Sequence, residues 1–288
     1  LFDGGAVVTI SENPAAPLEI VHVVTGDVIA MDRIAISLPA GLEASIIERT
    51  IGADHSVTNN MAEIVIGDGA VLHVTRISDG HSDNATELSS HHIRMGTKSR
   101  LEHLTISTGR GLARNQVVCH VTGDDADANF RTATVSTGRR HADTTLVVLH
   151  DSVGARSTEV FRSAVGRKGT AIVQGRIVVE RDAQQTDSRM MSNTLFLDDS
   201  GEMVNKPELE IFADDVQCGH GATSGDLEED HVFYLRARGI PAALARQMLV
   251  EAFLIEALDA VEDEALEEVL ENHIRTALAA IQPENEPA

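Results

Sequence analysis

Cysteine is nearly absent: Cys119 and Cys218 are the only two in 288 residues. That is too few to staple a small secreted fold, so a reducing cytoplasm is the expected compartment. Tryptophan is missing, tyrosine occurs once and aromatics make up 3%, which leaves few stacking platforms and counts against binders of sugars or single-stranded nucleic acid. No run of about 18 apolar residues occurs, and the opening Leu1 to Ile10 lacks the charged start and apolar centre of an export signal. Neither membrane insertion nor secretion is expected. Basic residues are scarce, 23 against 45 acidic, for a net charge of -22. Such a surface repels phosphate backbones, excluding nucleic acid, and suits basic partners or cations. Nucleotide and hydrolase signatures are lacking too. Gly96-Thr97-Lys98-Ser99 has threonine where a phosphate loop needs glycine, and no G-x-S-x-G occurs.

What is present divides into two periods. Up to about Asn205 the chain is a series of short β-type runs, among them Ile20 to Thr25, Val71 to Ile77, Leu101 to Ser107 and Phe130 to Ser136, punctuated by Gly and Asp turns. In Ala171 to Glu180, residues Ala171, Val173, Gly175, Ile177 and Val179 share one face while Gln174, Arg176 and Glu180 take the other. No helix-period stretch interrupts these runs, which disfavours a helix-linked parallel sheet. Ser-Thr-Gly-Arg occurs at Ser107 and again at Ser136, an echo that hints at stacked coils. Inward faces of Ala, Thr, Ser and Val suit a narrow, flattened β-helix, with a β-sandwich as the competing arrangement.

After Gly225 the period becomes helical. Asp226 and Glu229 have capping-box spacing, Leu227, His231, Tyr234 and Leu235 share a face, and Gly239 closes the helix just before Pro241. A second helix is expected over about Ala242 to Ala260. In a third, Leu266, Val269, Leu270, His273, Ile274, Ala277, Leu278 and Ile281 form a stripe, with Pro283 beyond it. From Lys206 onward there are 5 basic and 19 acidic residues. Most read as solvated helix faces, but the Glu262 to Glu271 block is acidic enough to suggest docking on a basic surface.

One stretch carries more than its periodicity. Lys206-Pro207-Glu208-Leu209-Glu210-Ile211, Ala213-Asp214-Asp215-Val216, Cys218-Gly219-His220-Gly221-Ala222-Thr223 and Phe233-Tyr234-Leu235-Arg236 through Arg238-Gly239-Ile240 follow one another. Upstream stand Gly175-Arg176-Ile177, Ala183 to Asp187 and Leu195-Phe196-Leu197. In order and spacing these resemble the SufD family of iron-sulfur cluster assembly proteins. Glu48 to Gly52 and Asn59 to Gly69 resemble it more loosely, so the match covers the last third to half of the chain. Cys-x-His-Gly-Ala-Thr is its most specific element, since the sister family SufB carries a Glu-His-Glu-Ala-type segment there.

The resemblance implies a right-handed, flattened parallel β-helix over residues 1–222 and a small α-helical C-terminal domain over 223–288. By the same resemblance, the additional N-terminal helical region usual in the family is expected to be absent from this chain. It implies no enzymatic activity, pairing with SufB through the β-helices, and docking of the ATPase SufC on the helical end, with Tyr234, Leu235, Arg236, Arg238 and Gly239 as candidate docking residues. No cofactor is expected to bind stably; a transient iron or iron-sulfur cluster shared with SufB is. A homodimer is expected when the chain is isolated.

Thiolate and imidazole are suitable iron ligands, and Cys218 and His220, two apart on an extended segment, point to one side. Two ligands do not complete an iron or cluster site, so the rest must come from sulfide or a partner. Residue chemistry alone favours an inert Cys218 and a His220 satisfied by backbone groups; the resemblance turns the reading toward His220, and less strongly Cys218, as ligands. His91, His92, His141 and His150 read mostly as surface or strand-face residues without metal-ligand spacing, and the pairs Asp198-Asp199 and Asp214-Asp215 read as solvated. Two other functions fit the composition: a β-helix carbohydrate-active enzyme working through carboxylates, and a self-associating structural protein pairing through open sheet edges.

Overall fold

Alternation sets the architecture. The structure, a computed structural model, describes residues 4–78 and 82–279. Nearly every strand is buried at every second residue, as expected when one face of a sheet is covered. Sixteen strands run in chain order: β1 (Gly4–Thr9), β2 (Leu18–Val24), β3 (Ile29–Leu38), β4 (Glu43–Gly52), β5 (Val57–Ile66), β6 (Val71–Ser78), β7 (Thr86–Met95) and β8 (Arg100–Ser107) come first. The series continues with β9 (Leu112–Val121), β10 (Asp127–Ser136), β11 (His141–His150), β12 (Arg156–Val165), β13 (Thr170–Val179), β14 (Asp187–Phe196), β15 (Glu202–Ile211) and β16 (Gln217–Gly225). Odd-numbered strands form one eight-stranded sheet and even-numbered strands a second. Every pairing is parallel and joins strands two apart in sequence, as in β8-β10-β12. A chain that alternates between two sheets in this way is a parallel β-helix, so the sandwich alternative is set aside.

The coils stack through one repeated corner. Gly41, Gly69, Lys98, Asp125, Gly154 and Gln185 all have positive φ, between 54° and 70°. In each the backbone N–H reaches a carbonyl of the next coil: Gly41 to Asp68, Gly69 to Thr97, Lys98 to Asp124, Asp125 to Val153, Gly154 to Gln184 and Gln185 to Asp215. The left-handed turn aims that amide along the axis, and the inter-coil bond helps offset its cost where the residue is not glycine. The two Ser-Thr-Gly-Arg segments begin at the last residues of β8 and β10, Ser107 and Ser136, at one corner of successive coils.

The interior is apolar on one side and charged on the other. Ile36, Leu38, Ile64, Ile66, Leu72, Met95 and Leu101 form the apolar part, continued by Val121, Phe161 and Ile177. Gly175 leaves room for Met190, whose sulfur a Cβ there would strike. The charged part was not expected. Glu48 meets His22 at 3.2 Å and His91 at 2.9 Å, Arg76 binds Glu87 and Asn115, and Arg110 Nε lies 3.3 Å from Glu87. Buried charges are retained when paired and hydrogen-bonded. Burial raises the Glu48 carboxyl, but His91, His22 and Arg76 outweigh it and hold it well below the usual carboxylate range. Burial likewise opposes a charged His22, yet Asp32 and Glu48 lift it to about 9. His91 and His150, read from sequence as surface or strand-face residues, lie inside the helix. Inward positions of a strand accept a histidine when the next strand, in the opposite sheet, supplies its partner, here His103 for His91 at 3.0 Å and Ser157 for His150 at 3.0 Å.

Three helices follow: α1 (Glu229–Arg236), α2 (Ala242–Ile255), a 3-10 turn (Glu256–Leu258) and α3 (Glu264–Ala279). They cover the outer face of the even sheet. Val250, Leu254, Leu258, Leu270, Ile274 and Leu278 bury Ile77, Leu104, Ile106, Ala133, Val135 and Ala164, which makes a second core outside the helix. Each fully buried Leu or Ile contributes about 1.5–3 kcal/mol. Of the expected third-helix stripe, Leu270, Ile274 and Leu278 are buried, Val269 is 60% exposed, and Ile281 and Pro283 lie outside the described residues. Asp263 caps this helix by accepting from the amides of Ala265 and Leu266. The expected capping box of α1 does not form. The chain stays extended through Glu228, which is the N-cap without a side-chain bond, so Asp226 lies too early to reach the free amides. With this start the helix buries Val232, and His231 and Tyr234 face outward. Its end is as expected: Gly239 at φ 84° lets its amide reach Arg236 and that of Ile240 reach Leu235, a Schellman closure ahead of Pro241.

Candidate functional site

Every inner strand of the even sheet has neighbours on both sides, but β16 pairs only with β14 and forms the sheet's edge. Ser188 aligns with Cys218 and Met190 with His220. Since Ser188 and Met190 are buried inward residues, Cys218 and His220 occupy the inward rows at a point where no further coil covers them. Cys218 is half-buried and packs on the apolar core, while His220 is exposed. Burial pushes the Cys218 thiol up, with the Ser188 amide opposing and Asp187 and Glu159 adding to the rise. A metal ion or positively charged partner would reverse that balance by favouring the thiolate.

Backbone direction makes this strand an open edge. Gln217 donates to the Thr186 carbonyl across β14, so Gln217, Gly219, Gly221 and Thr223 direct N–H and C=O groups toward β14. By alternation Cys218, His220, Ala222 and Ser224 direct theirs outward. The strand is glycine-rich and carries neither proline nor a charged side chain, so it lacks the usual devices that block strand addition. A groove of about 490 Å³ lies along it, lined by Thr158, Val160, Met190, Met191, Cys218 and His220. Among the described residues no three His, Cys, Asp or Glu side chains converge to hold a metal. Cys218 and His220 share a side, and the described residues bring no third such ligand to them.

The other sequence-derived residues lie on the helices. Tyr234 is 54% exposed with the Arg238 guanidinium 3.5 Å over its ring, a cation-π contact that holds both outward. Leu235 is partly buried, Arg236 exposed, and Gly239 is the helix closure. Phe233, 71% exposed, belongs to the same surface and was missed; its apolar bulk on a solvent face was the available signal. On α2, which packs against α1, Leu244 and Met248 are exposed as well. No described helix is long and apolar enough to cross a membrane.

Comparison with known proteins places this geometry. Residues 22–253 match the family model described as SUF system FeS cluster assembly, SufBD core domain, well beyond the last third to half that the motifs alone cover. The chain is 29% identical over 267 residues to the iron-sulfur cluster assembly protein SufD of Escherichia coli, covering 89% of this chain and 62% of that protein. It is 29% identical over 250 residues to protein ABCI7, chloroplastic, of Arabidopsis thaliana, covering 85% and 52%. A SufBD family protein of Synechocystis is 30% identical over 204 residues, covering 70% and 45%. The chain thus spans about half of the length of these relatives.

Proposed function

This chain belongs to the SufBD family of the SUF iron-sulfur cluster assembly system, and from that premise we propose that it is a SufD-type, non-catalytic scaffold subunit of the cytoplasm. It pairs with SufB through its β-helix, docks the ATPase SufC through its helices, and contributes to cluster assembly at the SufB-facing edge. One observation supports this most: the open strand β16 holds Cys218 and His220 in the inward rows, with half a ligand set and unpaired backbone groups beside it.

The chemistry follows from incompleteness. Imidazole and thiolate from this chain fill two positions on iron, and sulfide and a partner's ligands fill the others. A cluster, here the cargo, held by two subunits is released when they move apart, whereas one fully ligated by a single chain is retained. Strand addition along β16 would supply backbone hydrogen bonds and register, and the side chains would supply the ligands. The exposed apolar residues of α1 and α2, with Arg236 and Arg238, provide the SufC-facing surface. ATP-driven movement of SufC is transmitted by the second core that joins the helices to β6, β8, β10 and β12.

Co-elution of the purified chain with SufB and with SufC tests the reading. Complexes with both are expected, and failure of the intact chain to bind either would count heavily against it. Self-association is a second use of the same edge, favoured by its lack of blocking residues; light scattering with and without SufB separates the two states. A carbohydrate-active enzyme draws no support from the family.

A further inference from the structure

We propose that the inner wall of the later coils binds a file of ordered water molecules, each bridging hydroxyl groups of successive coils. The register puts six hydroxyl side chains in one inward row: Ser78 aligns with Ser107, Ser107 with Thr134, Thr134 with Ser163, Ser163 with Thr194 and Thr194 with Ser224. All but Ser224 are buried, and Ser224 is exposed on the edge strand.

Three consecutive members, Thr134, Ser163 and Thr194, have hydroxyl oxygens that are buried and find no hydrogen-bond partner in the protein. A buried hydroxyl without a partner costs about 1–3 kcal/mol, and native interiors seldom leave one unpaired. Neighbouring strands are about 4.8 Å apart, too far for a direct bond between side chains that point straight inward, yet two bonds of about 2.8 Å through one water span it. The protein can close such a gap directly when rotamers lean together. In the row of Ala128, Ser157, Ser188 and Cys218, the Ser157 and Ser188 oxygens are 2.7 Å apart. The hydroxyls of Thr134, Ser163 and Thr194 do not make such a bond.

Small side chains stand on the opposite side of the same corner. Ser78 ends β6 and donates to Glu87 at the start of β7 at 3.0 Å, so there the hydroxyl row adjoins the first inward row of the odd sheet; in β10 and β12 one more buried inward pair, Ser136 and Val165, follows Thr134 and Ser163. That facing row continues from Glu87 through Ala113, Ala142 and Ala171. Their methyl groups offer the hydroxyls no competing hydrogen bond. At its inner end the row meets the Arg76, Glu87 and Arg110 ion cluster, and at its outer end Ser224 opens to solvent on the edge strand, four residues along from His220. The row therefore forms a wettable path between the buried charges and the uncapped edge.

Thr134→Val and Thr194→Val, made separately in the full-length chain, preserve side-chain shape and remove one hydroxyl each. If water fills the row, each variant strips a bonded water of a partner and the melting temperature falls; a rise or no change overturns the proposal, because an unhydrated hydroxyl is a cost whose removal helps. A high-resolution crystal structure of the native chain decides independently should a variant fail to fold. Water density within hydrogen-bond distance of Thr134, Ser163 and Thr194 supports the file, and hydroxyls turned onto backbone carbonyls with no density between them refute it.

Discussion

Two adjacent prolines should separate the edge's two sides. Ala222 directs its N–H away from β14, whereas Gly221 directs its N–H into the ladder. Proline is tolerated on an edge strand where the amide faces solvent, but within a ladder it removes a bond and wedges the strands apart. Ala222→Pro should therefore leave the isolated chain folded, with thermal stability within about 0.5 kcal/mol of the parent. In complex with SufB the same change removes a donor and places a ring where the partner's strand must approach. Leaving one partner acceptor unsatisfied costs about 1–3 kcal/mol, a loss of roughly fivefold to 150-fold in affinity, and the steric clash adds to it. Gly221→Pro should instead destabilise the chain itself by about 1–3 kcal/mol, since it breaks the β14 ladder next to Met191, which already stands 2.8 Å from a Cβ at Gly221. Titration calorimetry for SufB affinity and thermal melts for the chain alone measure both quantities. An Ala222→Pro chain that binds SufB as tightly as the parent would refute the strand-addition reasoning.

His220→Ala should leave the melting temperature unchanged, because the side chain is exposed, while the assembled complex loses most of its iron-sulfur absorbance; normal yield would remove His220 from the mechanism. Ile274→Ala, at a fully buried position joining α3 to the sheet, should cost about 2–5 kcal/mol, and hydrogen exchange should show the helices loosening before the β-helix does. Burial pushes the Glu159 carboxyl up to about 8, the nearby Ser157 hydroxyl pulling the other way. The folded state thus holds a proton that the unfolded chain loses near its ordinary value, and stability from this group drains away as pH rises from about 4.5 to 8. Glu159→Gln should flatten that decline in urea titrations at pH 5 and pH 8, and an unchanged slope would show that Glu159 is ionised in the fold.

Periodicity carried the fold a long way. Strands such as Thr170–Val179 read correctly because inward and outward residues alternate without exception over Ala171 to Ile177. The corner stack was only half legible: Gly41, Gly69 and Gly154 announce a left-handed turn and Asp125 tolerates one, but Lys98 and Gln185 adopt it without any signal in residue type. Interior charges were invisible for a related reason. Glu48, Arg76 and Glu87 look like outward residues on any single strand, and their pairing exists only between strands, across neighbouring coils for Glu48 with Arg76 and from β6 to β7 for Arg76 with Glu87. The helix α1 was displaced because its start depends on how long β16 stays extended, which Asp226 and Glu229 do not encode. At the candidate site, spacing gave the common side of Cys218 and His220, whereas the open edge beside them is a property of the stacked sheet.

The central claim is that the free edge of β16 is where a second subunit completes the site. Residue-resolved hydrogen exchange on β16, with and without SufB, tests it most directly. In the isolated chain the amides of Cys218, His220, Ala222 and Ser224 should exchange rapidly while Gly219, Gly221 and Thr223 are protected, and SufB should slow the first set selectively. Free-edge amides that exchange equally fast in the complex would contradict the account.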